Sequence, residues 1–333
     1  TLPVGAVSEE DPPPESKEIV VTGTRFAGRV ASESPTPVDS LPIDEIMQGG
    51  RTDLVSGLKV VAPSFNTPRP TGSSFADFAT PVSLRGLSAG QTLVLVNGKR
   101  RHTIGELNQA NSLGRGDITY DLNPIPPGAV KRVEVLRDGA AAQYGSDAIA
   151  GVINLVLDDS VGGTIRGTFG TNTFGDGELK DVSASYGMRL GEDGVIRATF
   201  RYLDQGASNR ARPDTRQQYF SADGTRAPSA NYGSGVGLTP SNESLDPREA
   251  TIDRDVYRIG QSAYTIKSGL VNLRLPVGDG IELYGFGGYS RTNGVSEAFF
   301  RRAGLDENVR TLYPHGYRPA TKVRFDDFNL SAR

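Results

Sequence analysis

Cysteine is absent from the 333 residues, tryptophan is absent too, and histidine occurs only twice. Without thiols there is no disulfide framework, no thiolate zinc or iron–sulfur centre and no cysteine nucleophile. His102 and His315 are too few for a His-rich metal centre. Charge of one sign is also lacking. The 36 Lys and Arg nearly cancel 39 Asp and Glu, leaving −3 and excluding an electrostatic nucleic-acid binder. Long apolar runs are missing: AIAGVINLVL at 148–157 is half the ~20 residues a membrane-crossing helix needs. A helical membrane protein is excluded, but a membrane β-barrel is not, because its strands alternate and keep mean hydropathy low. Glycine, at 41 residues, is well above its ordinary share of about 7%, and proline reaches 21.

Residues 1–17 read as a flexible leader. TLPVGAV could be the tail of a signal peptide, and VSEEDPPPESK at 7–17 is acidic and proline-rich. EIVVTG at 18–23 is an isolated β-prone run with polar chain on both sides. It is either the first strand of a domain or a strand kept free for the sheet edge of another protein.

Residues 38–159 have the pattern of an α+β domain. PVDS followed by LPIDEIMQGG predicts a short helix stopped at Gly49–Gly50. TDLVSGLKVV predicts a second helix, with Thr52 as N-cap and Asp53 in the first turn. Strand signals follow at 82–87, 91–100, 130–138 and 150–157, and Asn97-Gly98 marks a hairpin turn. In the third, Val133 and Val135 alternate with Arg132, Glu134 and Leu136. Two long polar stretches, 64–81 and 102–117, lie between them, and loops of that length are functional or disordered.

After Gly162 the period changes to strict alternation. Strands are predicted at 164–172, 181–190, 195–203, 264–275, 281–290 and 323–331, with a bulge expected around Ser268–Gly269, where the apolar pattern switches face. Their lengths suit a tilted bilayer crossing. GEDG and PVGDG make short turns at one end, whereas about sixty residues (205–262) and about thirty (292–322) separate strands at the other. That asymmetry is typical of an outer-membrane barrel. Arg197 and Arg201 fix the register, because a one-residue slip would turn both toward lipid at ~2–4 kcal/mol each. Soluble barrels alternate as well, so an all-β enzyme or lectin remains a rival reading.

Together these segments resemble the TonB-dependent outer-membrane receptors. EIVVTG (18–23) resembles a TonB box. VSLRGL (82–87), TLVLVNGKR (92–100) and IPPGAVKRVEVLRDGAAAQYGSDAIAGVINLVL (125–157) resemble the plug. The resemblance implies a periplasmic leader at 1–17, a TonB box at 18–23, a plug domain at 38–159 and the N-terminal part of a β-barrel at 160–333. The expected fold class is an α+β plug followed by antiparallel transmembrane strands, about six of about 22. Twenty-two strands of ~10 residues would need more than about 200 residues before any loop, so 160–333 is expected to hold an incomplete barrel.

The family binds a scarce nutrient outside, of siderophore, cobalamin or carbohydrate class, and imports it with energy delivered by the periplasmic domain of TonB. The expected setting is a Gram-negative outer membrane, with its lipid as a partner and the N-terminus in the periplasm. No cofactor, metal, catalytic group or nucleic acid is expected. The alternative is a plug module that binds ligand or TonB without transport.

Glu18, Ile19, Val20, Val21, Thr22 and Gly23 are the expected TonB-pairing residues. Arg85 and Arg137 match plug arginines that the family pairs with barrel glutamates, and are otherwise ordinary strand-end charges. Without such partners they are expected to face solvent or find substitutes. Candidate ligand contacts are Arg69, Phe75, Asp77 and Phe78 in one loop and Asn108, Gln109, Asn111 and Arg115 in the other, residue types that equally suit a solvated loop. GLSAG at 86–90 has the G-x-S-x-G spacing, but Ser88 sits between strand signals rather than before a helix, which a nucleophile elbow requires. His315 in YPHGY is a loop polar residue or a metal or haem contact.

Overall fold

Two runs without a charge, β4 (Thr92–Val96) and β7 (Gly151–Leu157), lie parallel at the centre of a five-stranded sheet in the computed structural model. The structure describes residues 37–67, 80–105, 115–215, 250–278, 281–297, 300–301, 312–313 and 315–332. On one side of the central pair, β6 (Val130–Leu136) runs antiparallel to β7, and β1 (Val38–Pro42) runs antiparallel to β6. On the other side β5 (Lys99–Arg100) folds back on β4. The hairpin turn is Asn97-Gly98 as the sequence predicts, with φ of 45° and 74° at its two central residues.

Two helices, α1 (Ile43–Ile46) and α2 (Leu54–Val61), pack Ile46, Leu54 and Leu58 into the sheet's core with Val133, Val135 and Leu155. They approach closely because α2 has a glycine at the crossing. A Cβ on Gly57 would stand 2.4 Å from the Ile46 carbonyl oxygen. The cap of α2 is Asp53 rather than Thr52: Asp53 is extended, and its carboxylate accepts from Ser56 N–H at 2.8 Å. Thr52 instead gives its carbonyl to Arg201. The first helix is shorter than its pattern, because Val38–Pro42 gains more by extending the sheet edge along β6. Of VSLRGL only Ser83–Leu84 forms a strand, β3, paired with β2 (Phe65–Asn66). Glu134 departs from simple alternation. It is fully buried, because β6 is covered on both faces. Its Oε1 accepts from Arg132 and its Oε2 from Asn154, whose own Oδ1 accepts from Gly98 N–H at 3.0 Å.

The second part is a six-stranded antiparallel sheet in sequence order: β8 (Gly162–Gly170), β9 (Leu179–Leu190), β10 (Gly194–Gln205), β11 (Tyr264–Pro276), β12 (Glu282–Glu297) and β13 (Ala320–Ala332). Among the described residues it is open, with β8 and β13 at its edges. The short connections lie at one end and the long ones at the other, as the spacing predicts. The bulge at Ser268–Gly269 is absent: β11 pairs without a register shift on either side. Ile266 and Leu270 simply share the inner face with Ser268 and Asn272, since this face meets the first domain rather than water. The outer face carries exposed Ile165, Tyr186, Phe200, Val271, Phe328 and Leu330. Among the described residues no helix is long and apolar enough to cross a membrane, which leaves strands unaddressed.

Candidate functional site

Alternation places Arg197, Thr199 and Arg201 of β10 on the inner face, all at most 5% exposed. Arg201 forms a two-pronged pair with Asp181 of β9, Nε to Oδ1 at 3.0 Å and Nη2 to Oδ2 at 2.9 Å. Its remaining donors cross to the first domain, to the Thr52 carbonyl at 2.9 Å and the Asn123 carbonyl at 3.4 Å. Arg197 lies 2.9 Å from Asp158, at the exit of β7, and donates to the Ser160 and Gly162 carbonyls. Between them Thr199 donates to Ser185, which donates to the Gly128 carbonyl at 3.1 Å. A register slip would turn these buried guanidiniums outward, so the domain's carbonyls complete what alternation begins.

Farther along the sheet, Asn272 donates to the Asp158 carbonyl at 3.1 Å and Arg274 lies 3.4 Å from Asp159. Asp327 of β13 pairs with Arg101 and with His102, whose Nε2 is 2.7 Å away. Arg101 also donates to the carbonyl of Asp121 at 3.1 Å. The Asp121 carboxyl accepts from Asn123 N–H at 3.0 Å and Thr80 N–H at 3.5 Å. Burial pushes its pKa up to about 6, against the pull of Asn123, Arg101 and Thr80 and with a smaller push from Asp327. Among the described residues, apolar contact includes Phe286, which joins the domain's core, and Leu270, which packs against it. At the β8 end a gap of about 400 Å³ separates the two parts, lined by Arg51, Thr52, Gly128, Arg166, Asp181 and Arg201. Arg166 crosses there to Asp44 at 2.7 Å.

The structure gives the two singled-out arginines partners within the first domain. Arg85, in the left-handed region at φ 55°, donates to the Ile149 and Ala150 carbonyls and stands 3.8 Å from Asp138. Arg137 pairs with Asp39 of β1 at 2.8 Å. Both are partly exposed, and these contacts all stay within the first domain. Arg101, Arg166, Arg197, Arg201 and Arg274 make the crossings instead. Asp327 and Arg101 were not foreseen. In FDDFNL, Phe328 and Leu330 mark the outer face and so assign Asp327 to the inner one, the signal that could have found it.

Residues 18–23, Arg69, Phe75, Asp77, Phe78, Asn108, Gln109 and Asn111 lie outside the described residues. Arg115 lies in an exposed turn. Ser88 is extended, at φ −62° and ψ 145°, and its hydroxyl donates to Asp117, an arrangement unlike a strained nucleophile elbow. The assembly is chemically a polar seat. Charged and amide groups dock the first domain on the inner face of the six-stranded sheet.

Residues 30–152 match the family model described as the TonB-dependent receptor plug domain. The chain is 31% identical over 147 residues to the iron-regulated outer membrane virulence protein of Vibrio cholerae, covering 44% of this chain and 21% of that protein. It is 28% identical over 203 residues to the vitamin B12 transporter of Vibrio vulnificus, covering 60% and 30%. It is 30% identical over 125 residues to the ferrienterobactin receptor of Escherichia coli, covering 38% and 17%. The chain thus spans less than a third of the length of each of these relatives. Its fold is similar to that of a mutant ferric enterobactin receptor of Pseudomonas aeruginosa solved with enterobactin, at TM-score 0.52 and 19% identity, covering 78% of this chain and 33% of that one. With residues 30–152 matched as a plug and six antiparallel strands seated against it, the chain carries a TonB-dependent receptor plug domain and is similar to the outer-membrane receptors of that name.

Proposed function

We propose that this chain forms the plug and adjoining wall of a receptor that captures a scarce nutrient outside the outer membrane and admits it to the periplasm with energy transmitted by TonB. The nutrient class is siderophore, cobalamin or carbohydrate, and the relatives named above for enterobactin and vitamin B12 support the first two. The proposal places the leader at 1–17 and the TonB box at 18–23 on the periplasmic side, the plug at 38–159 and the first part of the barrel at 160–333. The role is transport rather than catalysis, in a Gram-negative outer membrane.

The observation that carries this reading is the seat itself. Arg201 reaches the Thr52 and Asn123 carbonyls, and Arg197 reaches Asp158, so the plug is held to the wall mainly by polar groups. Such contacts exchange for water at modest net cost, about 1.5–3 kcal/mol per hydrogen bond from a charged group, which suits a body that must shift under load.

Deleting 18–23 from the complete receptor is the test. Surface binding of ligand should persist while energised uptake stops. Loss of both together would contradict the assignment, and uptake that survives would remove TonB from the account.

A further inference from the structure

Two carboxyl groups compete for one guanidinium where the first domain meets β13. Arg101, buried just after β5, pairs with Asp327 of β13 and donates its Nε to the Asp121 carbonyl at 3.1 Å. The Asp121 carboxyl is buried on the first domain's side, held by the N–H groups of Asn123 and Thr80. Arg101 attracts that carboxyl and Asp327 repels it. His102, half exposed, brings its Nε2 to 2.7 Å from the other oxygen of Asp327. Ser290, opposite Asp327 on β12, is neutral. Asp326 is engaged by Arg291 and Arg324, and Arg201, which reaches the Asn123 carbonyl, is committed to Asp181.

With both carboxyls ionised and the imidazole neutral, this corner keeps one negative charge in excess. A proton on Asp121 removes the excess, and a proton on His102 turns its hydrogen bond with Asp327 into an ion pair. Asp121 belongs to the plug and Asp327 to the wall, so an ionised Asp121 pulls Arg101 inward and weakens its hold on the wall. We propose that the corner is a proton-operated latch: protons on Asp121 and His102 close it between plug and wall, and their loss loosens residues 101–105, where the polar stretch 102–117 begins. The inference rests on the reading of the two parts as plug and wall, and on no particular nutrient. Burial, which pushes Asp121 up to about 6, sets the window. The closed corner holds the extra proton, so closure is favoured below about pH 6 and is lost as pH rises through it.

The test puts a spin label at Gly105→Cys in the complete receptor carrying this chain, any cysteine elsewhere being replaced by serine. A Cβ at Gly105 meets nothing within 4 Å, and the chain supplies no competing thiol. Label mobility is read by electron paramagnetic resonance in detergent from about pH 5 to about pH 8. The label should be held at the acid end and freed at the alkaline end, the ratio of the two populations changing by up to about tenfold per pH unit. Asp121→Asn should hold it throughout, Asp327→Asn should free it throughout, and His102→Gln should hold it less firmly than the parent at the acid end. A cooperative thermal transition in each variant confirms folding. A parent that is flat with pH, an Asp121→Asn variant that titrates like the parent, or an Asp327→Asn variant still held in acid would each overturn the latch. His102→Gln indistinguishable from the parent would overturn the part given to His102. None of these results touches the transport reading, which the deletion of 18–23 tests.

Discussion

Asp327, on the thirteenth strand, and His102, just after the plug's hairpin, meet at 2.7 Å across the boundary between wall and plug. Arg101 shares the same carboxylate and ties it to the backbone of Asp121. A wall strand more than two hundred residues downstream thus fixes the start of a plug loop.

Asp121 makes this corner sensitive to pH. Its folded pKa of about 6 lies above its ordinary value of 3.8, so between those limits the folded state binds more protons than the unfolded one. Its contribution is favourable below about pH 4, and stability is lost as pH rises to about 6. Asp121→Asn keeps an oxygen for Asn123 and Thr80 and removes the charge. Subtracting the denaturation midpoints of parent and variant across pH 4–7 should show the variant gaining roughly 1–3 kcal/mol by pH 7. A difference that stays flat with pH would show that Asp121 is not the titrating group.

Arg201→Met should cost about 3–5 kcal/mol, since it leaves the Asp181 carboxylate buried and unpaired. Arg201→Met with Asp181→Leu should recover much of that loss. Thermal unfolding in detergent reads both, and a double variant no better than the single one would shift the weight to the Thr52 and Asn123 carbonyls.

Arg137→Ala should be mild, below about 1 kcal/mol, because its pair with Asp39 is partly exposed. A loss several times larger would mean that Arg137 locks the plug to strands beyond those described.

Within 18–23, Val20→Pro should impair uptake far more than Val20→Ala, because proline removes a main-chain donor and alanine only a side chain. Equal impairment would argue against strand pairing with TonB.

Much of the architecture was legible because it is local. Alternation over 195–203 placed Arg197 and Arg201 together on one face, and Asn97-Gly98 announced its own turn. The misses share a cause. Ile266 and Leu270 looked like a face switch because the sequence does not show that a plug covers the inner face. Glu134 read only as a member of an alternation because its partner Asn154 comes from another strand, and Val38–Pro42 becomes a strand only by pairing with β6. Asp327 with Arg101 is a meeting of distant segments, to which no local period points.

Phe286 and Leu270 give the polar seat a direction. If the plug moves away as proposed, the arginines and carbonyls of the seat find water at once, but these two side chains are left bare. Wetting a buried side chain such as Phe286 costs about 1.5–3 kcal/mol, and less for the partly buried Leu270, energy that is recovered only on return. Under the proposed function, departure would need work from outside, whereas return would be spontaneous, as if the stopper carried its own spring.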